Sequence, residues 1–213
     1  MQSPDPEDWP LGGFLLSTAV VAIAEIGDKT QLLAFLLAAR FRAPLPVLLG
    51  ILLATVANHA LAAVAGVTLA AWLQSGALTW ALGLSFLVMA LWALKPDRLE
   101  GEELPERRQW GAFLTTLVAF FFVEIGDKTQ IATMALAVHF QNLLAVTAGS
   151  TLGMMLANLP AVLLGERAAG RLPLKVIRGG AACLFALMGA AVLLEAAGLW
   201  QAETPRLATL LLP

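Results

Sequence analysis

The sequence predicts an all-α membrane protein with six transmembrane helices arranged as two inverted three-helix repeats. Three observations carry this: an apolar composition, six apolar stretches of bilayer length, and an internal duplication. Of 213 residues, 59% are hydrophobic and 13% charged, with a mean hydropathy of +0.81, far from the composition of a soluble domain. A soluble domain of this length buries only about 70% of its surface, which would leave many Leu, Ala and Val side chains in water. Lipid is the natural solvent, and an ordinary cytoplasmic enzyme is excluded.

A bilayer core requires about 20 consecutive apolar residues per helix. The first such stretch, 11–39, has Glu25 at its centre, and the second runs over 46–70. The third, 78–94, is the shortest. A polar segment from Lys95 to Gln109 follows, with Pro96, Pro105 and nine charges. It divides the chain into a first repeat (1–94), a polar cytoplasmic linker (95–111) and a second repeat (112–213). The fourth stretch, 112–138, has Glu124 and Ile125 near its centre. The fifth, 143–165, contains Pro160, which is expected to kink its helix. The sixth, 178–199, carries Cys183 as a small packing residue and, near its outer end, Glu195 reaching interfacial water.

Tryptophan and charge placement support these boundaries. Trp9, Trp72, Trp80, Trp92, Trp110 and Trp200 all fall near span ends, where amphipathic indoles sit at headgroup level. Arg40, Arg42, Lys95, Arg98, Arg107, Arg108, Arg167, Arg171, Lys175 and Arg178 lie in the loops after spans one, three and five, against Arg206 alone on the other side. The positive-inside rule then places both termini on the non-cytoplasmic side. Asp5, Glu7 and Asp8 give the N-terminus no basic start, so the first span is expected to stay in the mature protein rather than act as a signal peptide. A formal charge of −2 without a basic stripe offers nucleic acid no electrostatic footing. One cysteine excludes an intrachain disulfide framework and a Cys-rich zinc site.

Residues 25–66 align without a gap onto 124–165 at an offset of 99. The shared heptapeptide is Glu-Ile-Gly-Asp-Lys-Thr-Gln, and Phe41 matches Phe140, Gly50 matches Gly149 and Gly66 matches Gly165. Three spans per copy oblige the second copy to enter the membrane in the opposite direction. Inverted repeats of this kind are characteristic of secondary transporters, with substrate sites near the midplane where the repeats meet.

Glu25, Asp28, Lys29, Glu124, Asp127 and Lys128 are placed at mid-membrane, where each ionisable residue costs about 2.5–3.5 kcal/mol on insertion scales. On an unbroken helix, Glu25 and Asp28 share a face and Lys29 pairs with Glu25 one turn away, as Lys128 does with Glu124. Two motifs of net −1 give −2, the charge that one divalent cation or two protons neutralise. The carboxylates of Glu25, Asp28, Glu124 and Asp127 form a hard oxygen set suited to Mn²⁺, Ca²⁺ or Mg²⁺. Desolvated and crowded, the same carboxylates also favour taking up protons, which makes proton/metal exchange the natural chemistry. Gly27 and Gly126 allow either close helix packing or a break in the helix; a break brings in Thr30, Gln31, Thr129, Gln130 and backbone carbonyls. Asn58, His59 and Asn158, on the adjacent spans, either line the site or hydrogen-bond between helices. Met154 and Met155 are read as gap fillers. The competing account of the motif is a pair of intramembrane ion bridges that only lock helices together.

The two heptapeptides resemble the E-φ-G-D-(K/R)-(T/S) signature of the Gdt-type membrane cation/proton exchangers, φ being hydrophobic, with six spans and a polar centre to match. The resemblance implies Mn²⁺ or Ca²⁺ moved in exchange for H⁺, with no enzymatic cofactor, and manganese export as the usual bacterial role. It carries over Glu25, Gly27, Asp28, Lys29 and Thr30, and Glu124, Gly126, Asp127, Lys128 and Thr129; Gln31 and Gln130 extend the pattern. The short chain resembles bacterial members, so the inner membrane is the expected location. Three alternatives remain: an exporter of a small organic solute such as a basic amino acid, an intramembrane aspartyl protease built on Asp28 and Asp127, and a non-transporting scaffold. The protease is disfavoured because each Asp comes with its own Glu and Lys, and no H-E-x-x-H or G-x-S-x-G motif is present.

Overall fold

The computed structural model describes residues 8–72, 75–95, 111–164 and 174–199. Eight helices make up these segments: α1 (Asp8–Glu25), α2 (Lys29–Phe41), α3 (Pro44–Trp72), α4 (Ser75–Leu94), α5 (Gly111–Glu124), α6 (Lys128–Phe140), α7 (Leu143–Leu164) and α8 (Leu174–Ala196). No strand occurs among the described residues. Four helices, α3, α4, α7 and α8, are long and apolar enough to cross a membrane singly. A fifth crossing arises if α1 and α2, bent by 73°, count as one span, while α5 alone is shorter.

The choice left open at Gly27 and Gly126 falls to a break in the first and fourth apolar stretches. Both stop in the middle of the heptapeptide, at Ile26–Asp28 and again at Ile125–Asp127. Gly27 and Gly126 take φ of 81° and 75°, a left-handed region in which a Cβ costs about 1–2 kcal/mol. The downstream helices match residue for residue: α2 and α6 each run 13 residues from Lys to Phe. Each ends on a left-handed residue, Arg42 or Gln141, whose N–H bonds the carbonyl of Ala38 or Ala137.

Packing crosses the repeats. The first helix of one copy lies on the third helix of the other: α1 on α7, and α5 on α3. Glycines set these close approaches. A Cβ at Gly50 would meet the Phe113 carbonyl oxygen, and one at Gly149 the Phe14 carbonyl oxygen; these are equivalent contacts under the offset of 99. Contacts advance together along both chains, from Gly50 at Phe113 to Asn58 at Phe121 and from Gly149 at Phe14 to Gly153 at Thr18. Thus α3 runs parallel to α5, and α1 parallel to α7. By contrast α4 and α8 cross in reverse order, with Gly83 near Leu193 and Gly189 near Leu87.

The buried core has two parts. One gathers Phe86, Met89, Leu136 and Phe185 from α4, α6 and α8, and the other gathers Leu33, Leu37, Ile51 and Phe120 from α2, α3 and α5. Leucines such as Leu91, Leu144 and Leu187 face outward, as they do where lipid is the surrounding solvent. Cys183 faces outward too, correcting its reading as a packing residue. Trp72 and Trp80 are exposed near their helix ends, and Glu195 is exposed as expected. The indole of Trp9, the linker from Pro96 to Trp110, Arg167, Arg171, Trp200 and Arg206 lie outside the described side chains.

Candidate functional site

At each break the chain replaces lost helical bonds locally. The N–H of Asp28 bonds the Glu25 carbonyl at 3.0 Å, and that of Asp127 bonds the Glu124 carbonyl at 3.1 Å. Gln31 Oε1 accepts from the Gly27 N–H at 3.0 Å, and Gln130 Oε1 accepts from the Gly126 N–H at 2.7 Å. The motif glutamines thus close the turn rather than extend a ligand set with their oxygens. Asp28 and Asp127, extended at φ −82° and −76°, are the N-cap residues of α2 and α6, and Asp28 Oδ1 accepts the Lys29 N–H at 2.6 Å. Two helix N-termini, with their partial positive charge, therefore start at the two aspartates.

Side-chain amides join the broken helices to the helices that cross them. Asn58 Nδ2 donates to the Phe121 carbonyl at 3.0 Å, and Gln31 Nε2 donates to the Ala157 carbonyl at 2.8 Å. Phe121 lies in the last turn of α5, where a carbonyl has no partner within the helix. The Ala157 carbonyl lies within α7, one turn from Pro160, so the Gln31 amide ties the start of α2 to the crossing helix.

Glu25, Asp28 and Asp127, all buried, each offer a carboxylate oxygen within 4.8 Å of the other two. Glu124, also buried, stands outside this triangle, although it is close enough to act electrostatically on Asp127 and Asp28. Of the four carboxylates expected at the site, three are gathered and the fourth stands beside them. Both oxygens of Glu25 lack hydrogen-bond partners. Thr129, beside Glu124, directs its hydroxyl to Asp127 Oδ2 at 3.5 Å. The hydroxyl of Thr30 is buried without a hydrogen bond.

The expected pairing of each lysine with the glutamate of its own motif is corrected. Lys128 Nζ lies 3.1 Å from Asp28 Oδ2, and Lys29 Nζ lies 3.7 Å from Asp127 Oδ1. The turn after each glutamate rotates the lysine away from the i, i+4 position and across to the other repeat. Each aspartate is therefore matched by a lysine, and the formal −2 of the site resides on the two glutamates.

His59 and Asn158 occupy equivalent positions with different roles. Asn158 Nδ2 turns back to its own helix, 3.1 Å from the carbonyl and 3.1 Å from the sulfur of Met154. His59 is fully buried with neither ring nitrogen hydrogen-bonded. Neither contact joins the carboxylates, whereas Asn58 supports the site through the end of α5. Met154 is fully buried and Met155 packs against the second core, as gap fillers do. Unforeseen were Ser17 and Thr116, buried two turns before the glutamates without hydrogen-bond partners. The offset of 99 relates them, just upstream of the aligned block.

Comparison with known proteins shows the family of the chain. The family model described as divalent cation/proton antiporter GDT1 matches the chain twice, over residues 13–101 and 112–200. The two matches are displaced by the same 99 residues as the duplication. A Vibrio cholerae protein carrying the provisional name of manganese exporter is 50% identical over 190 residues, covering 89% of this chain and 94% of that protein. GDT1-like protein 5 of Arabidopsis thaliana is 30% identical over 221 residues, with 84% of this chain and 94% of the plant protein covered. A GDT1-like protein of Synechocystis sp. is 29% identical over 187 residues, covering 78% and 89% of the two chains. No solved structure matches the chain.

Proposed function

Because the chain belongs to the divalent cation/proton antiporter GDT1 family, we propose that it exports Mn²⁺ from the cytoplasm in exchange for protons, with Ca²⁺ as the next candidate. The observation carrying this reading is the buried triangle of Glu25, Asp28 and Asp127, with both Glu25 oxygens free of hydrogen bonds. Hard carboxylate oxygens suit Mn²⁺ and Ca²⁺, and protonation of the same oxygens competes with metal. A cation leaving toward a proton-rich side is thus replaced by protons, and proton loss on the other side restores the metal site. Asp28 and Asp127 each hold a lysine rather than share a proton with each other, which disfavours the aspartyl protease.

We further propose six crossings in two inverted repeats, 1–94 and 112–213, joined by the cytoplasmic linker 95–111, in a bacterial inner membrane with both termini on the non-cytoplasmic side. The packing directions support this arrangement. Six alternating spans would make α1 parallel to α7, α3 parallel to α5, and α4 antiparallel to α8, the senses read from their contacts. Rocking of one repeat against the other then exposes the shared site alternately.

The test is Mn²⁺ efflux driven by a pH gradient, using purified protein in proteoliposomes. Wild-type protein should couple Mn²⁺ efflux to proton entry, and Glu25→Gln and Asp127→Asn should abolish it. Coupled flux that survives both substitutions overturns the site assignment. Transport of a basic amino acid without Mn²⁺ competition would favour the organic-solute reading.

A further inference from the structure

Asp28 and Asp127 belong at once to the carboxylate triangle and to the crossed ion pairs. The Lys128 side chain, its ammonium 3.1 Å from Asp28, is 4% exposed, and that of Lys29, its ammonium 3.7 Å from Asp127, is 20% exposed. A divalent cation drawn into the triangle would face these ammonium groups across the same two carboxylates, with like charges at close range. Cation and lysines therefore compete for Asp28 and Asp127. Each lysine is also attached to the repeat opposite its aspartate, so the site is tied across the repeat boundary twice.

We infer that Lys128 and Lys29 are tethered internal cations that occupy the aspartates when no metal is bound and are displaced when it enters. This rests on the proposed metal site and adds a role for the lysines, which need not change protonation to fill it. The ties hold the repeats together in the empty carrier. Metal entry releases them, and their return after metal departure helps expel the cargo and keeps metal affinity low enough for release. The shorter, more buried Lys128–Asp28 pair dominates.

The inference predicts that removing a lysine tightens metal binding, the reverse of what loss of a purely structural bridge does. Equilibrium Mn²⁺ binding is measured on detergent-purified wild type, Lys128→Gln, Lys29→Gln and Lys128→Arg, each verified as monodisperse. Lys128→Gln should bind Mn²⁺ at least tenfold more tightly, Lys29→Gln a few-fold more tightly, and Lys128→Arg like wild type. Unchanged or weaker binding by folded Lys128→Gln overturns the inference while leaving the metal site intact. Absence of Mn²⁺ binding by wild type overturns the metal site itself. Should Lys128→Gln not fold, the partly exposed Lys29→Gln carries the test, and binding no tighter than wild type overturns the inference.

Discussion

Lys128 and Asp28 stand 100 positions apart in sequence and 3.1 Å apart in space, joining the second copy of the heptapeptide to the first. The pair is almost completely buried, and breaking such a bridge by deleting one partner costs about 3–5 kcal/mol. Lys128→Gln should therefore lower the melting temperature of the metal-free protein more than Lys29→Gln does. Saturating Mn²⁺ should restore more stability to Lys128→Gln than to wild type, because metal takes over the charge of Asp28. Thermal unfolding with and without Mn²⁺ measures both effects; equal metal-induced shifts in the two proteins would contradict the shared use of Asp28.

Much of this arrangement was legible in the sequence, for identifiable reasons. A charged heptapeptide repeated inside apolar stretches signals its position directly, since mid-membrane charge is rare and costly. Helix content follows from apolar length. The partner of Lys29 was not legible, because the i, i+4 rule holds only on an unbroken helix, and the pairing changes once Gly27 turns left-handed. Gly27 itself left packing and breakage equally open. The exclusion of Glu124 from the triangle was hidden for a related reason: two identical motifs give no hint that one conformation treats them unequally.

Gly126 has φ of 75°, and an added Cβ would meet nothing within 4 Å. Substitution there is thus governed by backbone preference alone. Gly126→Ala should destabilise by about 1–2 kcal/mol, Gly126→Asn by less, and Gly126→Val by more, without a packing defect. Transport should fall in the same order as the turn becomes harder to hold. Denaturation and transport assays on the three variants check this, and tolerance of Val equal to that of Asn would show that the left-handed turn is not required.

Gly149 and Gly179 separate close helix approach from simple helix propensity. A Cβ at Gly149 would press on the Phe14 backbone, while one at Gly179 has open space. Gly149→Ala should cost about 1–3 kcal/mol through displacement of α1. Gly179→Ala, inside α8, should gain about 0.5–1 kcal/mol by restricting the unfolded chain. Because Gly50 makes the equivalent contact on Phe113, Gly50→Ala should resemble Gly149→Ala. Thermal stability in one detergent decides; a harmless Gly149→Ala would mean that α1 and α7 have room to separate.

Glu25 shares the triangle with Asp28 and Asp127, whereas Glu124 lies outside it. Under the proposed alternating access, exchange of the two repeats' roles would keep both aspartates and substitute Glu124 for Glu25, making the two glutamates equivalent only over a full cycle. Equilibrium Mn²⁺ binding should accordingly weaken tenfold or more in Glu25→Gln, about 1.4 kcal/mol or above, and less in Glu124→Gln. Turnover should fail in both, because each glutamate serves one of the two exposures of the site. Carboxylates bind metal in their deprotonated form, so apparent affinity should fall as pH falls, and binding should release protons. A pH-indicator dye in weakly buffered protein solution reads that release directly. Fewer protons should appear per Mn²⁺ in Glu25→Gln than in wild type; equal release, or a binding loss in Glu124→Gln as large as in Glu25→Gln, would remove the distinction between the two glutamates.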